Sequence, residues 1–134
     1  EVEVVWAPVK RPERAIEKVV RSYGKEAARL VDVCRQSLVF DSIAALRTCV
    51  ELIAKDKEVT VERIKNRLHP SFDSNLSAGY RDVALNIRID NARTTSLALD
   101  GHVCEVQLIA RPFAQLKSAE GHKRYVEFRN KRAE

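Results

Sequence analysis

The chain has 134 residues, with 24 Lys plus Arg against 19 Asp plus Glu for a net charge of +5, and 45% hydrophobic but only 6% aromatic residues. Four Gly and four Pro exclude a collagenous or low-complexity chain, and a chain this long buries roughly two-thirds of the surface its unfolded form exposes, enough for one core without staples. No apolar run approaches the ~18 residues of a membrane span. Cys34, Cys49 and Cys104 are odd in number and widely spaced, which argues against a disulfide framework and for a reducing, cytoplasmic compartment. The N-terminal stretch lacks the pattern of a secretory leader and the first residue is Glu1, so the expectation is a single domain over residues 1–134, excised from a longer protein.

After a short apolar opening, Pro12 stands at a helix N1 position, and Ile16, Val19, Val20 and Tyr23 recur at i, i+3, i+4 and i+7. This predicts an amphipathic helix from Pro12 to Tyr23, ended by Gly24. Residues Leu30 to Phe40 are rich in strand formers and read as a buried strand carrying Asp32 and Arg35. Asp41 and Ser42 offer N-caps to a second helix, with Ile43, Leu46, Val50 and Ile53 on one face, closing near Lys55. A strand is expected over 58–68 and a loop over 69–78. From Tyr80 to Asp90 the apolar Val83, Leu85, Ile87 and Ile89 alternate with polar or small residues, the mark of a strand covered on one side. A polar connection over 91–101 turns at Asp100-Gly101 into a strand from His102 to Ile109, and a last helix is expected from Pro112 to Arg129 with Gly121 as its weak point. The order helix, strand, helix, three strands, helix predicts an α+β (mixed α/β) fold, a sheet with helices packed on it.

Chemistry must come from particular side chains. The chain has no G-x-S-x-G, no H-E-x-x-H and no Walker or dinucleotide-binding glycine loop. His102 and Cys104 alternate on one strand but fall short of the four ligands of a zinc site. Asp32 and Glu105 are different, since a carboxylate at a strand position is expensive unless it is paired or functional. Two such groups meeting across neighbouring strands can hold Mg²⁺, which takes one or two carboxylates plus substrate phosphates. The competing reading pairs each with an arginine such as Arg35, Arg81 or Arg88. Seven basic and three acidic residues over 110–134 give a basic terminal helix, suited to nucleic acid or nucleotide phosphates, or simply a solvated face.

Taken in order, Val9-Lys10-Arg11-Pro12 through Lys18, Asp32, Gly79-Tyr80-Arg81-Asp82, Glu105-Val106-Gln107-Leu108, and Gly121-His122 to Tyr125 resemble the synthetase domain of the RelA/SpoT family over nearly the entire chain. That resemblance implies a nucleotidyltransferase-like mixed sheet flanked by helices. It implies that ATP gives pyrophosphate to the 3′-hydroxyl of GDP or GTP with Mg²⁺ present, yielding the alarmones ppGpp or pppGpp. By the same resemblance Asp32 and Glu105 would be the catalytic, metal-binding carboxylates. Lys10, Lys18 and Arg14 would hold ATP phosphates, Tyr80 would stack on guanine, and Lys65, Arg81, Gln107 and His122 would complete the nucleotide sites. The chain departs from the family pattern at Pro8, Arg81, Asp82, Ala84 and Ile109. Those changes leave open a catalytically degenerate nucleotide- or RNA-binding module of the same fold, with the basic terminal helix on RNA, or transfer of pyrophosphate to the 3′ end of tRNA.

Overall fold

The computed structural model describes residues 1–117 and 119–131. Its centre is a five-stranded mixed sheet in the order β1-β2-β5-β4-β3. The strands are β1 (Val2–Val5), β2 (Arg35–Phe40), β3 (Val59–Asn66), β4 (Val83–Ile89) and β5 (Cys104–Ala110). β2 and β5 run parallel, with Arg35 opposite Glu105 and Leu38 opposite Leu108, and every other pairing is antiparallel. The helices are α1 (Pro12–Ser22), α2 (Ile43–Lys55), α3 (Ala92–Ser96), α4 (Arg111–Leu116) and α5 (Ala119–Lys131). None of the described helices is long and apolar enough to cross a membrane.

Register separates the two faces of the sheet, because residues directly opposite one another point to the same side. One face carries Phe40, Leu108, Val83, Leu85 and Ile87, and α2 covers it with Leu46, Cys49, Val50 and Ile53. That helix starts where the sequence predicts, with Ser42 Oγ accepting from the Ala45 amide at 3.1 Å. The other face carries two polar rows, Arg35, Glu105, Asn86 and Arg63, then Ser37, Gln107, Ala84 and Lys65. A β-bulge between Val61 and Arg63 makes this possible. Glu62 is the extra residue, so Val59 and Val61 face α2 while Arg63 and Lys65 are turned to the polar face.

Several expectations are corrected. The expected strand over 30–40 is strand only from Arg35; Ala27–Arg29 form a 3₁₀ turn, and Leu30 to Cys34 approach the sheet without joining it. The Val33 carbonyl accepts from the Lys10 amide at 2.9 Å, so this stretch is tied to the segment before α1 and Asp32 lies outside the ladder. The apolar opening forms β1 on the edge of β2. In α1 the periodic face is not buried: Ile16 is 64% and Val20 54% exposed. β4 is buried on both faces from Val83 to Ile87, including Ala84 and Asn86, rather than on one. Asn91 caps the short α3 inside the expected polar connection, with its side chain on the Thr94 amide at 2.9 Å. The last helix divides at Lys117, the C-cap of α4, and Gly121 lies within α5.

Candidate active site

α1 and the approach to β2 enclose a cleft of about 590 Å³ whose lining includes Lys10, Arg14, Lys18, Arg21, Asp32 and Arg35. Lys10 sits just before the helix and Lys18 two turns into it, and both reach the same oxygen. Lys10 Nζ and Lys18 Nζ each donate to Asp32 Oδ2 at 2.7 Å. The Asp32 side chain is only 6% exposed, and Lys18 keeps 34% of its own in solvent. Burial works to raise the Asp32 pKa, but the two ammonium hydrogen bonds and their charges outweigh it and hold the carboxyl below its ordinary value. Burial likewise works to lower Lys18, and the hydrogen bond and charge of Asp32 overcome it, so Lys18 is raised. Arg14 lines the cleft but pairs with Glu17 at 2.6 Å, as does Arg21.

Asp32 thus has its ionic partners, and they are the two lysines rather than Arg35, Arg81 or Arg88. Its other oxygen, Oδ1, is buried without a hydrogen-bond partner among the described residues. An orphaned carboxylate oxygen beside two ammonium groups suits a hard cation that brings phosphate ligands with it. Glu105 stands on the polar face of β5, beside Arg35 on one strand and Asn86 on the other. Among the described residues no group of three or more His, Cys, Asp or Glu gathers as a metal cluster. Asp32 Oδ1 is thus the carboxylate oxygen open to a cation that substrate phosphates would also hold, and the described residues form no closed protein cage.

The remaining candidates surround the polar face. Tyr80 donates its hydroxyl to Asp82 Oδ2 at 3.0 Å, and Arg67 holds Asp82 Oδ1. Burial first, then the Asp82 charge and this donated hydrogen bond, push the Tyr80 pKa upward, keeping the phenol neutral. Lys117 Nζ donates to Gln107 Oε1 at 2.8 Å and lies 5.1 Å from the centre of the Tyr80 ring. Burial lowers Lys117, helped by Arg35, and burial lowers Lys65, helped by Arg67 and Arg63. Cationic groups are thus crowded on this face in excess of its carboxylates, Asp82 and Glu105, an arrangement that favours a polyanion. Arg81 is engaged elsewhere: its guanidinium donates to the carbonyls of Arg67, His69 and Phe72 at 2.9, 3.2 and 3.1 Å, fastening the loop before Tyr80. The His122 side chain lies outside the described residues.

The structure thus gathers Lys10, Lys18 and Asp32 at one cleft and Tyr80, Lys65, Gln107 and Glu105 around one sheet face, with Arg35 on both. Sequence reasoning missed Arg67 and Lys117. Arg67 had the buried Asp82 as its signal, since a carboxylate followed by Val83 and Ala84 must find a cation; Lys117 had no local signal.

No protein-family model matches the sequence, and no curated protein does so either. Solved structures do. Small alarmone synthetase 2 from Bacillus subtilis superposes with a TM-score of 0.68 at 20% identity, over 97% of this chain and 64% of that one. Small alarmone synthetase 1 from the same organism, bound to its product pppGpp, gives 0.71 at 17% identity over 98% of this chain and 69% of that one. A GTP pyrophosphokinase family protein from Streptococcus pneumoniae gives 0.70 at 15% identity over 94% and 59%. The chain therefore spans about 64% and 59% of the lengths of two of these proteins. At such identities the common element is the arrangement of the backbone: the chain has the nucleotidyltransferase-like fold of the small alarmone synthetases.

Proposed function

We propose that this chain is a pyrophosphotransferase that moves pyrophosphate from ATP to the 3′-hydroxyl of GDP or GTP, releasing AMP. The observation that carries this reading is the convergence of Lys10 and Lys18 on Asp32 at the mouth of a cleft, 2.7 Å each. Two ammonium groups sharing one carboxylate oxygen can exchange it for phosphate oxygens at little cost, since the charge they neutralise is similar. α1 begins beside them and adds the positive end of its dipole. The likeness to a synthetase bound to pppGpp supports a nucleotide with two phosphorylated positions as product.

The reaction depends on position and on neutralising charge on phosphate oxygens. Lys10 and Lys18 hold the ATP phosphates and Arg14 guards the rim of the cleft. Tyr80 stacks on the acceptor base, while Lys65, Lys117 and Arg35 attract its 5′-phosphates to the polar face. The acceptor 3′-oxygen attacks the β-phosphorus of ATP, the bond to the α-phosphate oxygen breaks, and in this reading Glu105 takes the hydroxyl proton. Asp32 Oδ1 and Glu105 would hold Mg²⁺, which when bound supplies charge stabilisation on the phosphates. Among the described residues the basic α5 exposes Lys123, Arg124 and Lys131, and RNA is the polyanion this helix suits.

One feature favours a second reading, a binding module that has lost the chemistry. The Lys117 ammonium already sits over the Tyr80 ring, on which the guanine is expected to stack. Both readings are separated by AMP release from labelled ATP with Mg²⁺ and, in turn, GDP, GTP or tRNA as acceptor, with Glu105→Gln as control. AMP formed with one acceptor and absent in the variant supports transfer and names the substrate; nucleotide binding without AMP supports the module.

A further inference from the structure

Two of the three cysteines meet at the entry of the central parallel pair of strands. Arg35 opposite Glu105 is the first rung of the β2–β5 ladder, and the Glu105 amide donates to the Cys34 carbonyl at 3.0 Å. Cys104, the first residue of β5, and Cys34, the residue just before β2, therefore stand side by side one position outward from that rung. Neighbouring strands lie about 4.8 Å apart, within the ~4.4–6.8 Å between Cα atoms that a disulfide spans. Both thiols are free and half-buried, and burial first, then the charge and hydrogen bond of the Cys34 thiol, push the Cys104 thiol up to about 11. Cys49, on α2 among the core contacts, responds to burial alone.

We propose that Cys34 and Cys104 are a redox modification site, forming a reversible disulfide that ties β2 to β5 between Asp32 and Glu105. The oxidant is hydrogen peroxide. One sulfur attacks the O–O bond, keeps one oxygen as a sulfenic acid and releases water. The second sulfur then attacks the sulfenic sulfur, forming the S–S bond and expelling a second water. Two thiols and one peroxide give one disulfide and two waters, and a dithiol reverses the change. Such a bond is compatible with a reducing compartment because it forms only when peroxide is present.

The position gives the bond its consequence. Cys34 lies between Asp32 and Arg35, and Cys104 directly precedes Glu105, so drawing the two sulfurs to about 2.05 Å shifts the segments that carry both carboxylates. Turnover should fall in the oxidised protein; this half of the inference rests on the proposed pyrophosphate transfer.

The test treats the full chain with hydrogen peroxide, alkylates it and maps its peptides. The expected result is one joined peptide containing Cys34 and Cys104 from protein running as a monomer without reductant. Alkylatable thiols fall from three to one, Cys49, and dithiothreitol restores all three. Cys34→Ser should keep two alkylatable thiols and give no joined peptide. Three free thiols after peroxide, a cross-link through Cys49, or separate sulfinic acids at Cys34 and Cys104 would overturn the site. AMP release should fall at least ten-fold on oxidation and recover with dithiothreitol, while Cys34→Ser and Cys104→Ser resist peroxide. A joined peptide with undiminished AMP release would overturn the regulation. Reduced protein that releases no AMP with any acceptor counts against the transfer reading, and the peptide map still decides the disulfide.

Discussion

The Tyr80 hydroxyl donates at 3.0 Å to the carboxylate of Asp82, a residue with no solvent exposure at all. Asp82 also receives Arg67 on its other oxygen, so one buried anion fixes both an aromatic ring and a cation beside the polar sheet face. A ring held at its edge by its hydroxyl loses little freedom when a base stacks on it.

Substituting Tyr80 separates the ring from the hydroxyl. Tyr80→Phe leaves Asp82 Oδ2 without its donor and should cost about 1–3 kcal/mol in denaturant unfolding, with the Km for the acceptor changed less than three-fold. Tyr80→Ala also removes the stacking surface, worth about 1–3 kcal/mol per base, and should raise that Km by ten-fold or more. Equal acceptor Km values for the two variants would exclude stacking.

The Asp32 cluster predicts a pH profile with a definite sign. Asp32 is held below its ordinary 3.8, so its contribution is present above that value and disappears as pH falls through the lowered one. Lys18 is raised above 10.5, so its contribution is complete below that value and disappears as pH rises past the raised one. Asp32→Asn should therefore cost stability between about pH 4 and pH 10 and converge with the parent in stronger acid. At neutral pH the loss should be about 1–3 kcal/mol, below that of a fully buried pair because 34% of Lys18 stays in solvent. Urea titrations from pH 3 to pH 8 measure it.

Turnover should distinguish the lysines from the carboxylate on β5. On the proposed reaction, Lys10→Ala and Lys18→Ala would each remove a charged phosphate contact of about 1.5–3 kcal/mol and should raise the Km for ATP by roughly 10–100-fold. Glu105→Gln keeps the side chain's size, and should abolish AMP release while leaving the melting temperature within about 2 °C. A Glu105→Gln protein that retains AMP release would remove Glu105 from the reaction.

Much of this arrangement was written locally in the chain. Ser42 before the apolar face of α2, Pro12 at the start of α1, and the alternation from Val83 to Ile89 each lead to the observed element. Asp32 and Lys18 could be singled out, but their meeting depends on the Lys10 amide finding the Val33 carbonyl, a contact with no local pattern. Ile16 and Val20 show the reverse case: periodicity marked an apolar face correctly, while tertiary packing half-buries Val19 and Tyr23 and leaves Ile16 and Val20 exposed. Arg67 and Lys117 escaped because each meets its partner through a loop or a helix end, Arg67 reaching Asp82 and Lys117 reaching Gln107.

The β3 bulge was equally silent in the sequence, and it decides where two cations go. Glu62 is the extra residue, and its carboxylate pairs with Arg88 at 2.5 Å on the surface. Glu62→Ala removes only that exposed pair and should leave the urea midpoint nearly unchanged. Deleting Glu62 removes the bulge without changing the pairing: Val61 stays opposite Ile87 and Arg63 opposite Asn86, so Val59, Val61 and Ile64 keep the core face while Arg63 and Lys65 keep the polar face. The core and polar rows are unchanged, so the deletion should fall within about 1 kcal/mol of Glu62→Ala and leave Lys65 on the polar face. Urea unfolding of the two variants side by side measures the difference. A deletion variant about 3 kcal/mol or more less stable than Glu62→Ala would mean that the strand changes register and turns Arg63 and Lys65 toward the core.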